Sequence, residues 1–296
     1  MAKTENIAFP DRDQYFVQLS EPPLLSWPAV ILFLAGSLIF GLTSFSAING
    51  NIPYLVATLI NGICLYFFFS LLHESIHESV STNKLVNDLL GRISLFFLVP
   101  LAPLEIARWI HLNHHGHTTC ANDPDNFMHH GRWWVLPLRW ANFDVYYIAI
   151  FVRGWLKGEP VARRHGSAVL IYVTVLISII ATFVALGFGY EFLLLWVLPT
   201  RVGLALVGYV FVFLPHHPAD ISAHDNKYQA STVRQGWEWL LTPLMVFQNY
   251  HLIHHLYPNI PFYNYLKIWH LRYDEITSKE PALQTAFGLK PVNRST

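Results

Sequence analysis

Sixteen histidines in 296 residues are enough to define a chemistry, because half of them fall in three short clusters. His73 and His77, in LLHESIHES, stand four apart, so on a helix both imidazoles share one face. His111, His114 and His115, in RWIHLNHHGHT, occupy i, i+3 and i+4, which also share a face. His251, His254 and His255, in QNYHLIHHLYPNIP, repeat that spacing. A neutral imidazole is a good ligand for iron, copper, nickel and zinc, and spacing does not choose among them. Eight imidazoles are too many for one metal ion and suit two. Helix capping or contact with lipid phosphate explains one isolated HxxxH well, but not three clusters in this order.

What must position these clusters is a set of apolar helices. The chain is 53% hydrophobic and 13% charged, against about 25% charged in a soluble domain. Segments 29–48, 52–72, 167–188 and 192–214 read as four membrane spans, the first three uncharged and the fourth interrupted by Pro199 and Arg201. Very short turns at 49–51 and 189–191 imply two hairpins. Every Lys and Arg except Arg201 lies in 1–28, 73–166 or 215–296, and all the histidines lie there too. The positive-inside rule therefore puts both termini and the clusters on the cytoplasmic side. Stretches 93–103, 143–156 and 240–247 are apolar but too short or too charged to cross, and read as interfacial or re-entrant pieces. The expected fold is an all-α membrane protein: an N-terminal segment 1–28, a membrane domain 29–275 with a cytoplasmic helical cap holding a histidine-rich di-metal site, and a loosely packed tail 276–296.

Composition also excludes. Net charge is zero, which leaves no electrostatic footprint for nucleic acid. Cys64 and Cys120 cannot build a cysteine cluster or a disulfide scaffold. There is no GxGxxG turn or P-loop, so any electrons must come from outside. The first residues, MAKTENIAFPDRDQYF, carry acids and no apolar core of the kind a cleavable signal needs.

In the order of its three boxes and its four spans, the chain resembles the membrane fatty acid desaturase and hydroxylase superfamily over about residues 29–275. That resemblance implies a non-haem centre of two iron ions (Fe2+/Fe3+), with O2 as co-substrate, held by His73, His77, His111, His114, His115, His251, His254 and His255. It also implies a further histidine after the fourth span, and in FLPHHPADISAHD the best placed is His216, ahead of His217 and His224. Some desaturases use an Asn four residues before that histidine; this chain has Val212, and the role is not carried over. A ligating imidazole usually donates its other N–H to an acceptor, for which Asp123, Asp125, Asp220 and Asp225 are candidates, with Glu74 or Glu78 able to turn inward. His117 is a possible neighbour of the site; His129, His130, His165 and His270 read as peripheral.

The resemblance further implies a membrane lipid or carotenoid substrate, and a ferredoxin or cytochrome b5-like donor with its reductase. Such a donor would dock where Arg108, Arg132, Arg139, Arg163 and Arg164 lie, although ordinary positive-inside bias explains these arginines equally. HLIHHLYPNIPFYNY is similar to both acyl-lipid desaturases and beta-carotene hydroxylases, while RWIHLNHHGHTTCANDPD and FLPHHP lean toward the carotenoid hydroxylase and ketolase branches. Against a ketolase or a front-end desaturase, Ile253 stands where those groups commonly have Glu. The expected activity is O2-dependent desaturation of a fatty-acyl lipid, with carotenoid ring hydroxylation as the alternative, in a bacterial inner membrane. A membrane metal-binding or transport protein is the competing class, disfavoured because the ligands flank the spans instead of interrupting them.

Overall fold

The structure, a computed structural model, describes residues 12–293. The beginning of the expected segment 1–28 and the end of the tail 276–296 lie outside the described residues. Four helices are long and apolar enough to cross a membrane: α2 (Trp27–Ile48), α3 (Tyr54–Ile76), α8 (Pro160–Ala185) and α9 (Gly189–His216), preceded at the N-terminus by the short α1 (Arg12–Ser20). They make this a multi-pass membrane protein. Their ends differ instructively from the uncharged runs. A helix continues past the hydrocarbon while its backbone bonds are satisfied, so α3 carries His73 on its last turn and α8 begins at Pro160, ahead of Arg163 and Arg164.

The central pair is α3 against α9, and small residues let the backbones meet. A Cβ at Gly62 would lie 2.5 Å from Val202 Cγ1, and one at Gly203 would lie 2.9 Å from Leu65 Cβ. Pro199 withdraws a donor inside α9 and crowds the carbonyl four residues earlier. The helix answers with a wide π turn over Leu193–Val197, and α3 supplies donors for the freed carbonyls: Thr58 Oγ1 to Leu194 O at 2.6 Å and Asn61 Nδ2 to Leu195 O at 3.3 Å. A second π turn, Gly208–Phe213, stands just before His216; such turns recur at functional sites.

Between α3 and α8 the chain forms α4 (Lys84–Leu98), α5 (Leu104–His117), α6 (Leu136–Ala141) and α7 (Phe143–Lys157). The helices α4 and α5 make a hairpin that runs back along α3: Ser94 Oγ donates to Phe68 O at 2.7 Å, and Trp196 Nε1 of α9 donates to Phe97 O at 3.0 Å. The hairpin tip thus sits beside the middle of the apolar bundle, as the short apolar stretch 93–103 suggested. The returning limb α5 delivers the second histidine cluster to the end of α3.

One feature was not foreseen. Strand β1 (Thr232–Gln235) pairs in parallel with β2 (Ala282–Thr285). Arg234 locks the ribbon from within, donating to the carbonyls of Thr285 at 3.0 Å, Ala286 at 3.2 Å and Gly288 at 2.6 Å. The stretch 282–285 is therefore packed, not loose, with Ala282 and Gln284 buried.

Candidate metal centre

Nine histidines from four places in the chain converge: His73 and His77 from the end of α3, His111, His114 and His115 from α5, His216 from the end of α9, and His251, His254 and His255 from the short helix His251–Leu256. They sort into two groups. Ring nitrogens of His73, His77, His111 and His254 lie within 4.8 Å of one another, as do those of His114, His216, His251 and His255. His115 joins the first group, its Nε2 3.2 Å from His111 Nε2. Each HxxHH box is thus split between the groups: its i and i+4 residues go to one, and the residue at i+3 goes to the other. The groups adjoin, the His115 and His255 rings stacking with centroids 4.3 Å apart.

Local partners decide which nitrogen points inward. His114 Nδ1 is 3.0 Å from Asp123 Oδ1, His216 Nδ1 is 2.9 Å from Ala230 O, and His251 Nδ1 is 2.5 Å from Gln248 Oε1. Ionised carboxylates, carbonyls and amide oxygens only accept, so each of these imidazoles carries its proton on Nδ1. Thr118 already donates its hydroxyl proton to His114 O at 2.9 Å, so it accepts from His255 Nδ1 at 3.3 Å. All four Nε2 atoms of the second group are then lone pairs when the rings are neutral. Yet His251 Nε2 faces both His216 Nε2 and His255 Nε2 at 3.1 Å. Lone pairs so placed repel unless a cation lies among them. Cis ligands at about 2.1 Å from one metal stand about 3.0 Å apart, so the spacing suits coordination.

The first group tells the same story through atoms that lack partners. His73 Nε2 and His254 Nε2 are buried without a hydrogen bond, a costly state for polar atoms. Tyr265 Oη meets His254 Nδ1 at 2.9 Å, and His77 Nε2 meets His111 Nε2 at 2.9 Å.

Electrostatics keep the rings available. Burial, and after it the neighbouring imidazoles, holds His111, His115, His251, His254 and His255 well below the ordinary histidine value; for His77 burial is joined by His73 and Arg108. A neutral imidazole is the form that binds metal. His114 goes the other way: burial pulls it down, but Asp123 and Asp125 overrule this and carry it up to about 9. A cation held by Nε2 would occupy the place of the proton that the two carboxylates favour.

The other expected positions scatter. Asp125 lies 3.4 Å from His114 Nδ1 and accepts from Tyr147. Asp220 and Asp225 are exposed on the loop after α9; Asp225 accepts the Ser222 hydroxyl at 2.6 Å, and Asp220 acts on His217. Glu74 is buried but serves the fold, accepting from Ser79 Oγ at 3.0 Å and Phe262 N at 3.2 Å, while Glu78 is exposed and pairs with Lys84 at 2.6 Å. Arg108 is no surface charge: it donates to Asp88 at 2.7 Å and to the carbonyls of Ser75 and Ile76. His129, read as peripheral, is buried against Phe213 and His216. Sequence reasoning missed Gln248, Tyr265, Thr118 and the Ala230 carbonyl, whose roles appear only when the chain is folded.

An apolar cavity between α3, α4, α5, α7 and α9 ends on the imidazoles. Phe69, Leu95, Ile106, Val207 and Phe211 line it, and His73, His111, His114 and His251 form part of its wall.

Comparison with known proteins gives this geometry a relative. The fatty acid desaturase family matches residues 49–285. A beta-carotene ketolase of Paracoccus sp. (strain PC1) is 27% identical over 203 residues, covering 66% of this chain and 70% of the ketolase. That of Paracoccus sp. (strain N81106 / MBIC 01143) is 27% identical over 197 residues, with the same coverage. The chloroplastic omega-6 fatty acid desaturase of Arabidopsis thaliana is 26% identical over 230 residues, covering 69% of this chain and 49% of that protein.

Proposed function

We propose that this chain, which belongs to the fatty acid desaturase family, is a di-iron oxidoreductase that introduces a double bond into a fatty-acyl lipid. The observation that carries the reading is the second histidine group, whose Nδ1 protons all point outward to fixed acceptors while the Nε2 lone pairs face one another. His73, His77, His111, His115 and His254 would hold one iron, and His114, His216, His251 and His255 the other. Two irons so held, supplied with O2 and electrons, provide an oxidant strong enough to abstract hydrogen from an unactivated C–H bond.

The chain's own residues do the rest. Asp123, Gln248, Tyr265, Thr118 and the Ala230 carbonyl orient the rings, and such outer partners sustain metal affinity. The apolar wall from Leu95 to Phe211 excludes water and holds a hydrocarbon beside the imidazoles, so that position selects the carbon. Electrons come from a ferredoxin or cytochrome b5-like carrier on the cytoplasmic face, where Arg132, Arg163 and Arg164 remain exposed to steer an acidic partner.

A second reading, oxygenation of a carotenoid ring, is favoured by the two ketolase relatives. Hydrogen abstraction is common to both; a second abstraction gives an alkene and oxygen transfer gives an alcohol. Expression in a host with oxygen, a redox partner and both lipid classes, followed by mass spectrometry, separates them. Acyl chains lacking two hydrogens support desaturation, and a carotenoid gaining oxygen supports the second reading. Zinc in place of iron in the purified protein, with neither product, would sink both.

A further inference from the structure

The bundle holds an ion pair that the chemistry above does not use. Arg201 of α9 grips Asp144, in the first turn of α7, through two bonds: Nη1 to Oδ1 at 2.8 Å and Nη2 to Oδ2 at 2.7 Å. The Asp144 side chain is 2% exposed and that of Arg201 is 29% exposed. Arg201 precedes His216 by fifteen positions on one helix, about 22 Å at the ordinary rise, which is deep within a hydrocarbon layer about 30 Å thick. Charges at such depth are expensive and usually mark a working site.

Their position suggests the work. Asp144 borders the apolar cavity that ends on the histidines, and it also borders an outer pocket together with Arg201, Leu176, Ile180, Phe192 and Trp196. The outer pocket lies between α8, α9 and the α4–α5 turn, where Pro100 and Leu101 complete its wall. Of the apolar stretch of α8 only 6% is buried within the protein, so this crevice faces lipid. We infer that it is a lateral portal through which an acyl lipid passes from the bilayer to the histidine cavity, with the Asp144–Arg201 pair as its gate. The inference rests on the reading of the inner cavity as the substrate site. Arg201 Nη1 also donates to Ala141 O at 3.1 Å, so opening the gate parts α9 from the α6–α7 junction.

The test labels the cavity directly. The purified, iron-containing protein is placed in phosphatidylcholine vesicles in which one acyl chain bears a diazirine, then illuminated, and the modified peptides are mapped. Val207 and Phe211 are buried from the outer lipid and take label only if a chain enters the cavity. Ile180→Trp plugs the portal; Ile177→Trp, on the same helix and 60% exposed but outside the portal lining, is the control. Wild type and Ile177→Trp are expected to be labelled at Val207 and Phe211, with that labelling lost in Ile180→Trp while the iron content holds. Should Ile180→Trp lose iron, Ile180→Cys and Ile177→Cys blocked with a bulky maleimide after folding replace the tryptophan pair. Cavity labelling that is absent from wild type, or that both positions affect equally, overturns the portal. Labelling as expected, with no oxidised product when the same protein is expressed with oxygen and a redox partner, would retain the portal and remove the oxidase reading, so the two failures are distinct.

Discussion

Asp123 holds His114 Nδ1 through both carboxylate oxygens, at 3.0 and 3.2 Å, and Tyr265 holds His254 by one hydrogen bond; the two separate orientation from ligation. Asp123→Asn keeps the size but replaces the ionised acceptor on His114, and Tyr265→Phe removes only the hydroxyl at His254. Iron affinity in each should fall by about 10- to 100-fold, the usual cost of losing an outer partner, while the circular dichroism spectrum stays that of wild type. Titration with a competing chelator measures it; unchanged affinity in both variants would show that these contacts do not tune the site. Spacing put the imidazoles of each box on one helical face, and the expected topology put the three boxes on one side of the spans, which together pointed to a shared centre. Neither could reveal the partners, since Gln248 lies on the preceding turn and the Ala230 carbonyl comes from a loop with no signature. The four candidate aspartates illustrate the difficulty: proximity in sequence was a guide for Asp123 and Asp125, whereas Asp225 turned to Ser222.

At the level of elements, α9 shows how a span tolerates Pro199: the neighbouring span supplies the missing donors. Thr58→Val should therefore leave Leu194 O without its partner and cost about 1–3 kcal/mol, seen as a lower unfolding temperature in detergent with unchanged iron content. The close approach of α3 and α9 gives a second forecast. Gly62→Ala puts a methyl 2.5 Å from Val202 Cγ1 and 3.2 Å from Pro199 O; overpacking of this kind costs about 1–3 kcal/mol. Adding Val202→Ala should not rescue it, because the Val202 Cβ stays 2.6 Å from the new methyl, whereas Val202→Gly removes both contacts and should recover part of the loss; failure of the glycine rescue would mean that the backbones are in conflict. The existence of four apolar helices was readable from length and lack of charge. The α4–α5 hairpin was only half readable, because its depth is set by Trp196 and Phe68, which belong to other helices. The β1–β2 pair was not readable at all: two short strands far apart in the chain carry no local pairing signal.

For the molecule as a whole, the histidine centre ties α3, α5, α9 and the helix His251–Leu256 together, so removing metal should weaken the entire fold. A ligand present at about 1,000 times its dissociation constant stabilises by about 4 kcal/mol, and chelation should lower the unfolding temperature accordingly. The chelated protein should also respond to pH with a definite sign. His77, His111, His115, His251, His254 and His255 are held below the ordinary value in the folded chain. The unfolded chain takes up their protons near pH 6.5, so their contribution is present above about 6.5 and is lost as pH falls below it. His114, raised to about 9, contributes oppositely: its stabilisation is complete below about 6.5 and fades as pH rises through about 9. Six groups outweigh one, so unfolding temperature should drop steeply on the acid side and only slightly on the alkaline side. Iron should raise the whole curve yet steepen its acid limb, because protons compete with the metal for the same lone pairs and the stability the metal adds is lost as pH falls. Thermal scans across pH with and without iron measure both limbs, and a curve that iron neither raises nor steepens would mean that the buried imidazoles do not meet at a metal.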